Sequence, residues 1–388
     1  MTGSADQWRV LIAETLTGEI RADVAYTGDP TFERTLCEKG SLSVSVMIDG
    51  PNAQVDLHAY TRPGKYSWIL AYGQTIVQAG PVWSYQFTDS DRTLQVTCGG
   101  MFSLFSRRVT RNPQGSANDP IPAIVNESED LAYSGLSLRG LMSRLVSDNL
   151  AQLSYDVPSI AIPEPETGDA VRNYPGYDLK MLADNMTDLA GVINGPEFDF
   201  APEFTARGTH VRWNLKIGNP LLGDQEPNLV WDYGTEGAPV GTIDVDVDGS
   251  EAPISRVWVK GEGTERELKT GFAEDLSAAG ETPGTDFVDG DHTSVSEQQT
   301  LEDYADKDLE RLSAAVETWT CEVRIAGPGG VEYAPALDSW QLGDAPLFAL
   351  AGHPWLPDGA YRRRVLGYSN ASASSVNLKL AETPETVL

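Results

Sequence analysis

The sequence predicts a mainly β protein with inserted helices, an α+β chain, and two observations carry that prediction. Short runs of alternating apolar and polar residues crowd both ends of the chain, while apolar residues spaced three and four apart appear only in the middle and near residue 300. The first pattern has the period of a half-buried strand and the second that of an amphipathic helix.

At the N-terminal end the alternating runs are Trp8–Ile12, Leu42–Val46 and Val55–Tyr60, followed by Trp68–Tyr72, Trp83–Phe87 and Thr93–Cys98. Turn residues such as Asp49-Gly50-Pro51-Asn52 and Asp89-Ser90-Asp91 separate them, and strands at this close spacing indicate an antiparallel sandwich or barrel. The polar, Pro-containing stretch between Arg111 and Asp130 has no periodicity and reads as a loop or linker. Leu138, Leu141, Met142, Leu145, Val146 and Leu150 then make one helical stripe, with Ser137 or Ser134 available as its cap. A second helix is predicted around Leu179, Leu182, Met186 and Leu189.

Strand patterns resume at Glu197–Phe200, His210–Ile217, Leu229–Tyr233, Thr242–Val247 and Arg256–Lys260. The stretch Gly271–Asp291 is rich in small and acidic residues and reads as an exposed loop. After it, Leu301, Tyr304, Ala305, Leu309, Leu312, Val316 and Trp319 predict a long helix over about 296–319, with Ser294/Glu297 or Ser296/Gln299 as a capping box. Thr320–Ile325, Leu347–Leu350, Tyr361–Tyr368 and Val376–Leu380 complete the second set of strands. The predicted organisation is a β module over 1–112, a loop and helical insert over 113–196, and a second β module over 197–388.

Charge is the unusual feature, because 57 acidic against 28 basic residues give a net −29. Such a surface repels phosphates, which disfavours nucleic acid binding through a basic face. It suits solubility, and equally a surface past which a DNA duplex slides without being trapped. No run of about 18 uninterrupted apolar residues is present to cross a bilayer as a helix. Residues 1–6 carry neither a basic start nor an apolar core, so a protein made and kept in a cytoplasm is expected.

Candidate chemistry is sparse. Cys37, Cys98 and Cys321 lack metal or redox spacing and read as buried small apolar residues, and His58, His210, His292 and His353 have no partner histidine at helix or strand spacing. Glu197 and Asp199 share one strand face about 7 Å apart, a separation compatible with acid and base catalysis. Asp244, Asp246 and Asp248 line one face of a strand and read either as a calcium-ligating array or as the solvated side of an amphipathic strand. Arg362, Arg363 and Arg364 form the one dense basic cluster, a docking point for a partner's carboxylates or a local neutraliser of acids. The Asn-x-Ser/Thr triplets at Asn126, Asn185 and Asn370 mean nothing without secretion. Phosphate-loop, nucleophile-elbow and zinc-protease motifs do not occur, and no catalytic, cofactor-binding or metal-binding residue is assigned.

Three stretches resemble the hub modules of tail-tip proteins, the minor tail proteins of actinobacteriophage siphoviruses. In the first, Leu42–Val46, Tyr60-Thr61-Arg62-Pro63-Gly64, Trp68–Tyr72, Ala79-Gly80-Pro81-Val82-Trp83 and Thr88–Gly100 follow the order of the family's N-terminal strands. In the second, Gly195-Pro196-Glu197-Phe198-Asp199-Phe200-Ala201-Pro202 is similar to the strand entry after the family's inner helices. In the third, Trp340–Asp344, Tyr361–Tyr368 and Val376–Leu380 resemble its closing β unit. The resemblance implies two tube-type β modules of barrel or sandwich form, repeated in a homotrimer so that six modules ring a sixfold tail tube. It implies as partners a distal tail protein, a tape measure protein and other tail-tip proteins, with DNA passing through unbound and no membrane insertion. The implied place is the virion's tail tip after assembly in the host cytoplasm, in a structural, non-enzymatic role. The competing expectation is a tail-associated peptidoglycan hydrolase or carbohydrate-binding protein, which needs convergent carboxylates or exposed aromatics.

Overall fold

The computed structural model describes residues 8–112, 130–151, 158–250, 252–277, 280–325 and 335–383. Most of the predicted linker, 113–129, and Asn126 with it, lies outside the described residues, as do Ala278 and Ala279. Two compact units are present, one formed by Met1–Ile243 with Cys321–Leu388 and the other by Asp244–Thr320. The sequence partition at 112 and 196 falls elsewhere, inside the first of these.

The first unit opens with β1 (Trp8–Glu14), β2 (Ile20–Val24), β3 (Thr27–Thr35) and β4 (Ser41–Met47). A single helical turn, α1 (Leu57–Tyr60), precedes β5 (Tyr66–Tyr72), β6 (Thr75–Thr88) and β7 (Thr93–Gly99). Their order in the sheet is β3-β4-β7-β6-β5-β1-β2. Alternation places Leu42, Val44 and Val46 of β4 inside, while β5 is buried along nearly its whole length and reads as a continuous apolar run. The strand predicted over 55–60 is instead α1, because the Asp56 carboxylate accepts from the Ala59 N–H at 3.0 Å and caps a turn that the apparent alternation concealed.

Next come β8 (Leu131–Leu136), α2 (Leu138–Leu150), β9 (Ile160–Ala161), β10 (Ala170–Tyr174), α3 (Leu182–Ala190), β11 (Phe198–Thr205) and β12 (His210–Ile217). Ser137 caps α2 by accepting from Gly140 N at 3.0 Å, and the stripe Leu141, Met142, Leu145 and Val146 is fully buried. The second helix starts later than predicted, because Leu179 sits in the left-handed region at φ 47° and points its side chain to solvent. β11 pairs with β12, which pairs in turn with β9, and their core includes Phe102, Phe105, Leu145 and Met186. They therefore pack with the helices and the N-terminal sheet, although the sequence assigned them to the second β module.

β13 (Val230–Tyr233) and β14 (Val240–Asp248) lead into the second unit, made of β15 (Arg256–Lys260), β16 (Thr270–Glu274), β17 (Asp286–Asp289) and α4 (Gln298–Leu312). The sheet order is β16-β15-β17, and α4 covers one face through Leu301 and Ala305 against Val257, Val259 and Ala273. A Cβ at Gly271 would overlap the carbonyl oxygen of Leu301, so this close helix approach requires glycine. The loop predicted over 271–291 thus contains two strands, and the small residues Gly271 and Ala273 of β16 are what admit the helix. The predicted capping box does not form: Glu297 is the N-cap and makes no side-chain cap bond.

The chain returns in β18 (Val316–Arg324), followed by β19 (Leu347–Leu350), β20 (Gly359–Ser372) and β21 (Ser375–Glu382). α4 therefore ends at Leu312, not near 319, and Trp319, Cys321 and Val323 are buried at the period of a strand. β19 pairs with both β13 and β20, which closes β19-β13-β14-β18-β21-β20 into a six-stranded barrel. β20 also pairs with β3, at Gly367↔Thr35 and Tyr368↔Arg34, and so joins the barrel to the N-terminal strands in one 13-stranded sheet. The fold is mainly β with inserted helices.

Candidate functional site

The residues flagged as a carboxylate pair lie at the junction between β3 and β20. Cys37 donates its N–H to Phe198 O at 3.0 Å, and Phe198 N–H donates to Cys37 Sγ at 3.3 Å, which ties the start of β11 to the end of β3. This fixes Glu197 and Asp199 on either side of Phe198. The Arg364 guanidinium grips Glu197 with both ends, Nη1 donating to Oε1 at 2.7 Å and Nη2 to Oε2. Arg364 also donates from Nε to Gly343 O at 3.1 Å and from Nη2 to Leu222 O at 3.0 Å, and Glu197 Oε2 accepts from Leu222 N at 2.9 Å.

Asp199 makes the matching contact with Arg34, which donates from Nη2 at 2.5 Å and from Nε at 3.2 Å. Arg34 further donates to the Tyr368 hydroxyl at 3.2 Å, and that hydroxyl donates to Val77 O at 2.9 Å. The side chains of Arg364 and Arg34 are 4% and 12% exposed. Burial works against the charge on Arg34, but Asp199 and Tyr368 outweigh it and hold the guanidinium protonated above its ordinary range. All four carboxylate oxygens accept from a guanidinium, an arrangement that pins β11 to β3 and β20 of the 13-stranded sheet and leaves the pair in a structural role.

The basic cluster is used internally. Arg362 donates to Ala345 O at 2.8 Å, Arg363 lies 3.3 Å from Glu382, and Arg364 is the partner of Glu197. The docking expectation for this cluster is thereby corrected: two of its three arginines are buried. Asp244, Asp246 and Asp248 are all exposed, and hydrogen bonds from the Ser250 side chain and from Ser250 N, the latter at 2.9 Å, lower the pKa of Asp248. Among the described residues no group of three or more His, Cys, Asp or Glu is placed to hold a metal ion.

Cys98 and Cys321 are buried and Cys37 is half-buried; burial pushes the thiols of Cys37 and Cys98 up to about 12. His292 stacks on Tyr304 at 3.8 Å and lies 3.0 Å from Asp289, while His353 Nδ1 accepts from Trp355 N and Leu356 N. Asn185 is buried and donates to Thr110, and Asn370 accepts from Phe32 N. Most tryptophans are strand residues, and Trp68, Trp213 and Trp319 are fully buried.

Sequence reasoning missed one surface. The outward face of the β15–β17 sheet carries Phe272, Trp258 and Val288 directly opposite one another, at 41%, 39% and 51% exposure. In Val257-Trp258-Val259 both strand faces are apolar, so alternation could not say which one faces the core.

No family model and no curated protein matches the chain. Solved structures do. A tail protein from Neisseria meningitidis MC58 superposes with a TM-score of 0.57 at 15% identity, over 97% of this chain and 97% of that one. The 43 kDa tail protein of prophage MuSo2 from Shewanella oneidensis superposes with a TM-score of 0.58 at 11% identity, over 96% of this chain and 98% of its own. The chain therefore shares, from end to end, the fold of these two tail proteins.

Proposed function

We propose that this chain is a structural virion protein, a hub of a siphophage tail tip that joins the tail tube and distal tail ring to the tip proteins. The observation that carries the reading is the end-to-end likeness to two tail proteins, which leaves almost no part of the chain outside the shared fold. The resemblance of its strand order to actinobacteriophage minor tail proteins supports the finer placement. In this reading three copies form a ring that contacts the distal tail protein and the tape measure protein. The −29 charge then faces DNA that passes through without being held.

A structural role agrees with how the chain uses its polar chemistry. The carboxylates best spaced for glycan hydrolysis, Glu197 and Asp199, are each bound to an arginine, Asp199 where it lines a small cavity beside Arg34 and Tyr368, and this engagement speaks against the hydrolase alternative. The test is imaging of particles that carry an affinity tag on this chain. Label at the tail tip supports the proposal, and label on the capsid, or no label on intact particles, overturns it.

A further inference from the structure

Among the described residues, the second unit has one sheet face covered by α4 and one exposed. Because α4 lies on the Val257/Val259/Ala273 side, residues of opposite parity on the same strands face solvent. Their central row is Phe272–Trp258–Val288, with the Trp258 and Phe272 ring centroids 4.4 Å apart. The row on one side is Glu274–Arg256–Asp286, in which Arg256 Nη2 donates to Asp286 at 2.9 Å. The indole is fixed, because Trp258 Nε1 donates to the other Asp286 oxygen at 3.2 Å. An aromatic pair is thus held in water beside a row of hydrogen-bonding groups.

We propose that this face is a binding platform for an uncharged, β-linked glycan chain. Three features of the surface select that ligand. Size is the first: two aromatics about 40% exposed offer on the order of 200 Å² of ring, well below the ~800 Å² per partner that a stable protein interface buries. The row crosses three strands and so spans about 10 Å, the length of two pyranose rings. Charge is the second, since residues 244–320 hold twenty acidic and six basic residues, a net −14. Bases also stack on aromatics, but this field opposes a polyphosphate and leaves a neutral chain unopposed. Chemistry is the third. A pyranose has an apolar C–H face that packs on aromatic rings, while its edge hydroxyls can donate to Glu274 and Asp286 and accept from Arg256.

The test is calorimetric titration of the full chain with chitohexaose and cellohexaose, two neutral β-linked probes. Saturable binding of at least one is expected, weakened more than about tenfold by Trp258→Ala and by Phe272→Ala. Trp355→Ala, which removes an 80% exposed tryptophan elsewhere, leaves it unchanged. Phe272→Tyr, which keeps the ring, retains binding, so loss in the alanine variants is not read as misfolding. Absence of saturable binding to both probes overturns the proposal, as does binding that survives both alanine substitutions. A change in the oligomeric mass on Trp258→Ala also overturns it, by assigning the face to a protein contact.

Discussion

The same three groups, an aromatic ring, an arginine and an aspartate, occur together at two places and are used in opposite ways. In the first unit Tyr368, Arg34 and Asp199 are buried at the junction of two sheets, with the ion pair 12% and 9% exposed. In the second, Trp258, Arg256 and Asp286 stand in water, with the pair 39% and 46% exposed. Burial makes the first set structural, because every charge taken out of water there depends on its partner. Exposure leaves the second set weakly coupled and available to an incoming ligand.

Breaking the seam is the harshest test of that contrast. Arg364→Met leaves the Glu197 carboxylate without its guanidinium at the sheet junction, and a loss of about 3–5 kcal/mol in denaturant unfolding is expected. Gly271→Val has the next largest effect. It forces α4 away from β16 and costs about 1–3 kcal/mol, read as loss of helix protection in hydrogen exchange between 298 and 312. Arg256→Met marks the mild end, with a change within about 1 kcal/mol in the same unfolding assay, because its ion pair is solvated. An Arg256→Met loss as large as that of Arg364→Met removes the contrast.

Much of the fold was legible because burial on one face imposes a period of two. Thr93–Cys98, His210–Ile217, Arg256–Lys260 and Leu347–Leu350 are all strands in the structure, within a residue of where the alternation placed them. β2 and β3 were not read, since β3 carries Gly28 and Pro30 and much of it is exposed. The helix over 298–312 was overextended because Val316 and Trp319 continue its apolar spacing although they belong to β18. The seam was illegible for another reason. Arg34 meets Asp199 across 165 residues and Arg364 meets Glu197 across 167, and no local pattern marks such partners. The arginine cluster gave a signal, but spacing alone cannot separate a guanidinium aimed at a partner from one aimed inward.

Native mass measurement of the purified chain, alone and mixed with the distal tail protein from the same particle, tests the hub reading most directly. A species of three 42.0 kDa chains that binds the distal ring is the result predicted. A chain that stays monomeric at every concentration and fails to join the ring would contradict it.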